Sequence, residues 1–131
     1  MSCMKAEVVR EPSVEFSNAQ NLITNVAEIQ SFDLYTVTSD CVNFSSPFAL
    51  SVKRSGSLTA IIGYFDIFFD LDNPVHFSTG PEAAPTHWKQ TVFSLSEPIS
   101  IKQGIMNFIH KKTFFILFLN HHFNEITNFC I

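Results

Sequence analysis

Basic charge is scarce in this chain of 131 residues: eight lysines and arginines stand against twelve acidic residues, for a net charge of -4 and a pI near 5.6. Such a balance leaves no basic footprint for nucleic acid. Cysteine is scarce as well. Cys3, Cys41 and Cys130 are odd in number and far apart, with no C-x-x-C, which argues against a disulfide scaffold or a zinc site and for reduced thiols inside a cell. Long apolar runs are missing. "MSCMKAEVVREP" has no apolar stretch of the kind a secretion signal needs, and the late run at 114–119 is far below the roughly 20 residues that span a bilayer. A cytoplasmic protein without a membrane segment is therefore expected. The four glycines form neither a P-loop nor G-x-G-x-x-G, so no nucleotide or dinucleotide site is encoded in this chain.

What is present is alternation. The length suits one domain with a core of its own. In "FALSVK" (48–53), Phe48, Leu50 and Val52 alternate with Ala49, Ser51 and Lys53, as a half-buried strand requires. "SGS" (55–57) is turn chemistry. The long β-branched and aromatic run 58–70 follows, with Gly63 in its interior, where a glycine signals a bulge or a close backbone approach. "VHFS" (75–78) reads as an edge or return strand and "TGPEAAP" (79–85) as a loop. "QTVFSLS" (90–96) alternates until Pro98 breaks it, and "ISIK" (99–102) resumes. Earlier, "EIQSFDLYTV" (28–37) predicts a strand, and "SNAQNLIT" (17–24) a short helical or turn-like passage. Short strands separated by turn signals predict a mainly β fold, an antiparallel barrel or sandwich.

Past Gly104 the character changes. Residues 105–131 contain no Gly, Pro, Ser, Ala, Val, Asp or Arg, so turn punctuation is absent, and neither alternation nor a helical stripe organises them. The residues used there are mostly those with A/T-rich codons, which is the composition of translated non-coding sequence. The expected division is residues 1–104 as a β-domain and 105–131 as an atypical, irregular tail.

Candidate chemistry is thin. His121, His122 and Glu125 sit in "HHFNE", but adjacent histidines diverge on a helix or a strand, so metal binding is not expected. Glu7, Glu11 and Glu15 recur every four residues, yet Val8, Val9, Pro12 and Val14 favour extended chain with solvated charges. His76 reads as a strand histidine. His87 and Trp88, the only tryptophan, follow the loop at a strand mouth. A tryptophan beside a strand usually fills a core, whereas a loop at a strand mouth often carries a binding site.

The stretches "GYFDIFF" (63–69), "HFSTGPEAAPTHWKQTVF" (76–93) and "ISIKQG" (99–104) resemble the C-terminal barrel domain of type I protein arginine N-methyltransferases. "MSCMK" and "YTV…FSSPFALSVKR" (35–54) resemble that domain's opening. Within the family the resemblance is nearest to member 3, a cytosolic enzyme acting on a small-subunit ribosomal protein. It implies an antiparallel β-barrel, S-adenosylmethionine as the cofactor of the full-length enzyme, a protein arginine as substrate and a homodimer. It also implies that Thr86, His87 and Trp88 form one wall of the arginine pocket. His87 would pair with an acidic residue of the cofactor domain, Trp88 would line the pocket, and Thr86 would shape the loop.

The same resemblance implies what this chain does not hold. The cofactor domain with its glycine-rich loop and two catalytic glutamates would precede "MSCMK", along with most of the dimerisation arm, and Glu7 and Glu11 are not that pair. The expectation is a truncated methyltransferase product with an incomplete barrel, no cofactor of its own and no activity alone. The alternative is a non-catalytic module that binds the full-length enzyme or its substrate.

Overall fold

The computed structural model describes residues 11–42, 44, 46, 48–108 and 128–130. They hold eight strands: β1 (Ser13–Glu15), β2 (Glu28–Ser31), β3 (Phe48–Val52), β4 (Gly56–Phe69), β5 (Val75–Ser78), β6 (Gln90–Ile101), β7 (Gly104–Phe108) and β8 (Asn128–Cys130). Every pairing among them is antiparallel. One open sheet runs β1-β6-β4-β8-β2, with β5 also on β4, and β3 pairs separately with β7. The expected mainly β, antiparallel class is what forms. No helix among the described residues is long and apolar enough to cross a membrane.

The fourteen residues of β4 are the backbone of the molecule. Their burial alternates with a single change of phase: Leu58 is buried, and then Ile61, Gly63, Phe65 and Ile67 are. The switch from even to odd positions coincides with a register shift. Leu58 faces Ile99 and Ala60 faces Ser94, so Thr59 stands alone against residues 95–98 of β6. Extra residues on one strand bend it and rotate the faces that follow. Gly63 is therefore not the bulge; it is the close approach. A Cβ there would lie 3.2 Å from the Phe93 ring.

Two apolar clusters result. Leu50, Val52, Leu58, Ile61, Phe93 and Ile101 form the first, and Phe65 with Ile67 forms the second. Ile29 of β2 packs against both and joins them. Burying such side chains contributes about 1.5–3 kcal/mol each.

Three expectations need correction. Pro98 does not end a strand, because β6 runs continuously from Gln90 to Ile101. Pro98 falls inside the register shift, where no ladder partner requires its missing N–H. The strand expected over 28–37 stops at Ser31. Asp33 folds the chain back: its Oδ1 accepts from Tyr35 N–H at 2.9 Å, and its carbonyl accepts from Thr36 and Val37 N–H at 3.1 and 2.8 Å, an Asx-type turn that competes with extension. Finally, the stretch after Gly104 is not uniformly irregular. It supplies β7, and β8 lies between β4 and β2, pairing backbone groups that two strands would otherwise leave open. The passage at 17–24 contains a 3₁₀ turn, Ala19–Asn21, whose Asn18 side chain accepts from Gln20 N–H at 2.9 Å.

Candidate functional site

The loop at 79–89 connects β5 to β6 and is fastened at both ends by buried polar groups. At its start, Thr79 is 1% exposed. Its N–H donates to Phe65 O at 3.0 Å, its hydroxyl donates to the same carbonyl at 2.9 Å, and Phe65 N–H donates to that hydroxyl at 3.1 Å. Thr79 thus extends the β4–β5 pairing by one residue through its side chain. Gly80 follows with Tyr64 directly beneath it, where a Cβ would lie 2.6 Å from the ring. Only glycine fits that approach.

At the far end, buried Gln90 begins β6. Its Nε2 donates to Thr79 O at 2.7 Å, while its Oε1 accepts from Ser17 N–H at 2.8 Å. One amide therefore ties the first residue of β6 to the first residue of the loop and to the segment after β1. Each bond contributes about 0.5–1.5 kcal/mol net, and leaving the buried partners unpaired costs more.

Between these ties, Thr86 to Lys89 form a tight turn, with Lys89 N–H donating to Thr86 O at 3.2 Å. Lys89 has φ of 56°, a left-handed conformation costly for a residue with a Cβ. Its ammonium group sits 5.3 Å from the Phe16 ring centroid, in cation–π range.

Trp88 anchors the turn. Its ring meets Phe65 edge to face (5.8 Å between centroids, 76°) and stacks on Phe77 (5.9 Å, 25°). His87 leans over Trp88 with centroids 3.8 Å apart and its own side exposed. Thr86 Oγ1 is buried and has no hydrogen-bond partner among the described residues. The three residues expected at the site, Thr86, His87 and Trp88, are thus consecutive in one packed turn. His76 lies on β5, stacked on Phe68 at 5.3 Å. Glu11 and Glu15 are exposed, Glu15 on β1. Glu7 and the group His121, His122 and Glu125 lie outside the described residues, as does Cys3. Cys41 is an exposed free thiol.

Sequence reasoning missed Thr79 and Gln90. Alternation along β6 puts Thr91 and Phe93 inward and would turn Gln90 out, yet Gln90 is buried. No pattern in the sequence marks it; its burial follows from the carbonyl and N–H it bridges.

This geometry defines a mainly β, antiparallel module carrying a fastened histidine–tryptophan turn. The family described as the arginine methyltransferase oligomerization subdomain matches residues 1–110, and the chain belongs to that family. It is similar to protein arginine N-methyltransferase 1 of Dictyostelium discoideum, 40% identical over 105 residues that cover 79% of this chain and 31% of that protein. Protein arginine N-methyltransferase 8-B of Danio rerio is 34% identical over 105 residues, covering 79% of this chain and 25% of that one. Among solved structures, a chain of the Trypanosoma brucei PRMT1 enzyme–prozyme heterotetrameric complex with AdoHcy aligns with TM-score 0.68 and 35% identity. That alignment covers 71% of this chain and 30% of the other. The chain thus spans between a quarter and a third of the relatives it matches. These relatives are members 1 and 8-B, so the expected nearness to member 3 is not supported, and the ribosomal-protein substrate loses its basis with it.

Proposed function

We propose that this chain supplies the barrel-side half of an arginine methyltransferase site, with Thr86, His87 and Trp88 as one wall of the pocket that receives a protein arginine. The observation that supports this reading is the contrast between two neighbours. Trp88 is wedged on Phe65 and Phe77, while the adjacent imidazole of His87 is exposed. The packed indole determines where the imidazole sits, which is what a positioning group requires.

A guanidinium ion stays protonated at any physiological pH and is recognised by planar hydrogen-bond acceptors. His87 offers a hydrogen bond to a carboxylate that holds such a guanidinium, and Thr86, whose carbonyl closes the turn on Lys89 N–H, shapes the loop that presents it. In this reading Trp88 packs on the pocket wall and carries the imidazole of His87 above it.

In this reading S-adenosylmethionine supplies the methyl group and is held by a cofactor domain rather than by this chain, so the chain alone transfers no methyl groups. The test is to assay the 131 residues alone and fused behind the cofactor domain of protein arginine N-methyltransferase 1. Arginine methylation by the fusion and none by the chain supports the reading, whereas methylation by the chain alone overturns it.

A second reading, a non-catalytic module docking on the full-length enzyme or its substrate, is favoured by exposed apolar residues. Val14, Phe16 and Val26 are 62%, 55% and 44% exposed, and Phe16 and Val26 line a cavity of about 400 Å³. Co-purification with a full-length relative decides it, with failure to associate removing this reading.

A further inference from the structure

We infer that Gln90 is a positioning residue, the hub of a latch through which the N-terminal segment 13–17 fixes the histidine–tryptophan turn; its catalytic consequence rests on the arginine-pocket reading above. Three contacts converge on two consecutive residues. Glu15 pairs with Gln90 across β1 and β6. Ser17 N–H donates to Gln90 Oε1 at 2.8 Å. Lys89 holds its ammonium over Phe16 at 5.3 Å. On its other side the Gln90 amide reaches Thr79 O, where the loop begins, at 2.7 Å.

The position of the latch matters because Lys89 is the residue in the left-handed conformation. Strained backbone persists only when its surroundings over-determine it. The cation–π contact on one side of Lys89 and the Gln90 amide on the other provide that constraint, next to Trp88. Because β1 is a three-residue edge strand with all residues exposed, the latch is reached from outside the core. Whatever orders segment 13–17 therefore sets the turn, and loosening that segment frees it.

Trp88 is the only tryptophan, so its spectrum reports the turn without any assay of activity. In the full chain, Gln90→Leu removes both hydrogen bonds at similar volume. The expected result is loss of the near-UV circular-dichroism band of Trp88 and increased quenching by iodide, with the far-UV strand signal retained. Phe16→Leu changes an exposed residue and removes only the ring beneath Lys89, so it gives a partial increase in quenching with the fold intact. An unchanged Trp88 band and quenching in Phe16→Leu and in any folded Gln90→Leu overturns the latch. In the fusion with a cofactor domain, Gln90→Leu lowers kcat by up to about 10²-fold and leaves the KM for S-adenosylmethionine unchanged. If Trp88 responds while methyl transfer does not, the latch stands and the arginine-pocket reading fails.

Discussion

Trp88 meets Phe65 edge to face, with ring centroids 5.8 Å apart and planes at 76°. Phe65 is 1% exposed and lies in the second apolar cluster, so the turn that carries His87 is bolted to the sheet through the contacts of Trp88 with Phe65 on β4 and Phe77 on β5. Rigidity at the loop is thus a consequence of packing in the core beneath it.

Phe65→Ala should therefore affect both fold and loop. A cavity at a fully buried phenylalanine costs about 3–5 kcal/mol, and the edge-to-face partner of Trp88 goes with it. Chemical denaturation of the variant should show that loss, together with a red-shifted Trp88 emission. A cost below about 1 kcal/mol would mean that the site is far more compliant than close-packed cores are.

Gly80 and Tyr64 make a second, separable prediction. Since a Cβ at position 80 would lie 2.6 Å from the Tyr64 ring, Gly80→Ala forces the ring to move and should destabilise by about 1–3 kcal/mol. Tyr64→Ala makes room for it. In a double-mutant cycle the two changes together should cost less than their sum. Strict additivity would show that the ring is not what excludes a side chain.

Cys41 sits at the end of a turn in which Thr38 Oγ1 lies 3.5 Å from its Sγ and Thr38 O accepts from its N–H at 3.0 Å. The Thr38 side-chain hydrogen bond, aided by the backbone bond, lowers the thiol below its ordinary value, with smaller opposition from desolvation and the Asp40 charge. A lowered pKa means that the thiolate persists to lower pH, so alkylation should accelerate at lower pH than for a free cysteine. Thr38→Val should move that midpoint upward. The same midpoint in both proteins would contradict the assignment.

Much of this fold is legible in the sequence, because period-two alternation in 48–52 and 91–95 corresponds directly to burial of Leu50, Val52, Thr91 and Phe93. Where the reading of β6 failed, a non-local term decided. Pro98 continues a strand because the register shift opposite Thr59 relieves it of donating, and no local signal marks that shift. Asp33 ended a strand by a turn that the surrounding β-branched residues obscure. At the site, Thr86, His87 and Trp88 were visible as residue types beside a loop. Gln90 and Thr79 were not, because a buried polar residue is defined by partners remote in sequence: Ser17 is 73 residues from Gln90.

The central claim is that His87 and Trp88 form one wall of an arginine pocket completed by a cofactor domain. Its most direct test is His87→Ala in the 131-residue chain fused behind the cofactor domain of protein arginine N-methyltransferase 1, assayed for methyl transfer to an arginine peptide. The account predicts a loss of about 10²-fold in kcat/KM for the peptide, with S-adenosylmethionine affinity and the Trp88 near-UV band retained. An active fusion whose kcat/KM is unchanged by His87→Ala would contradict it.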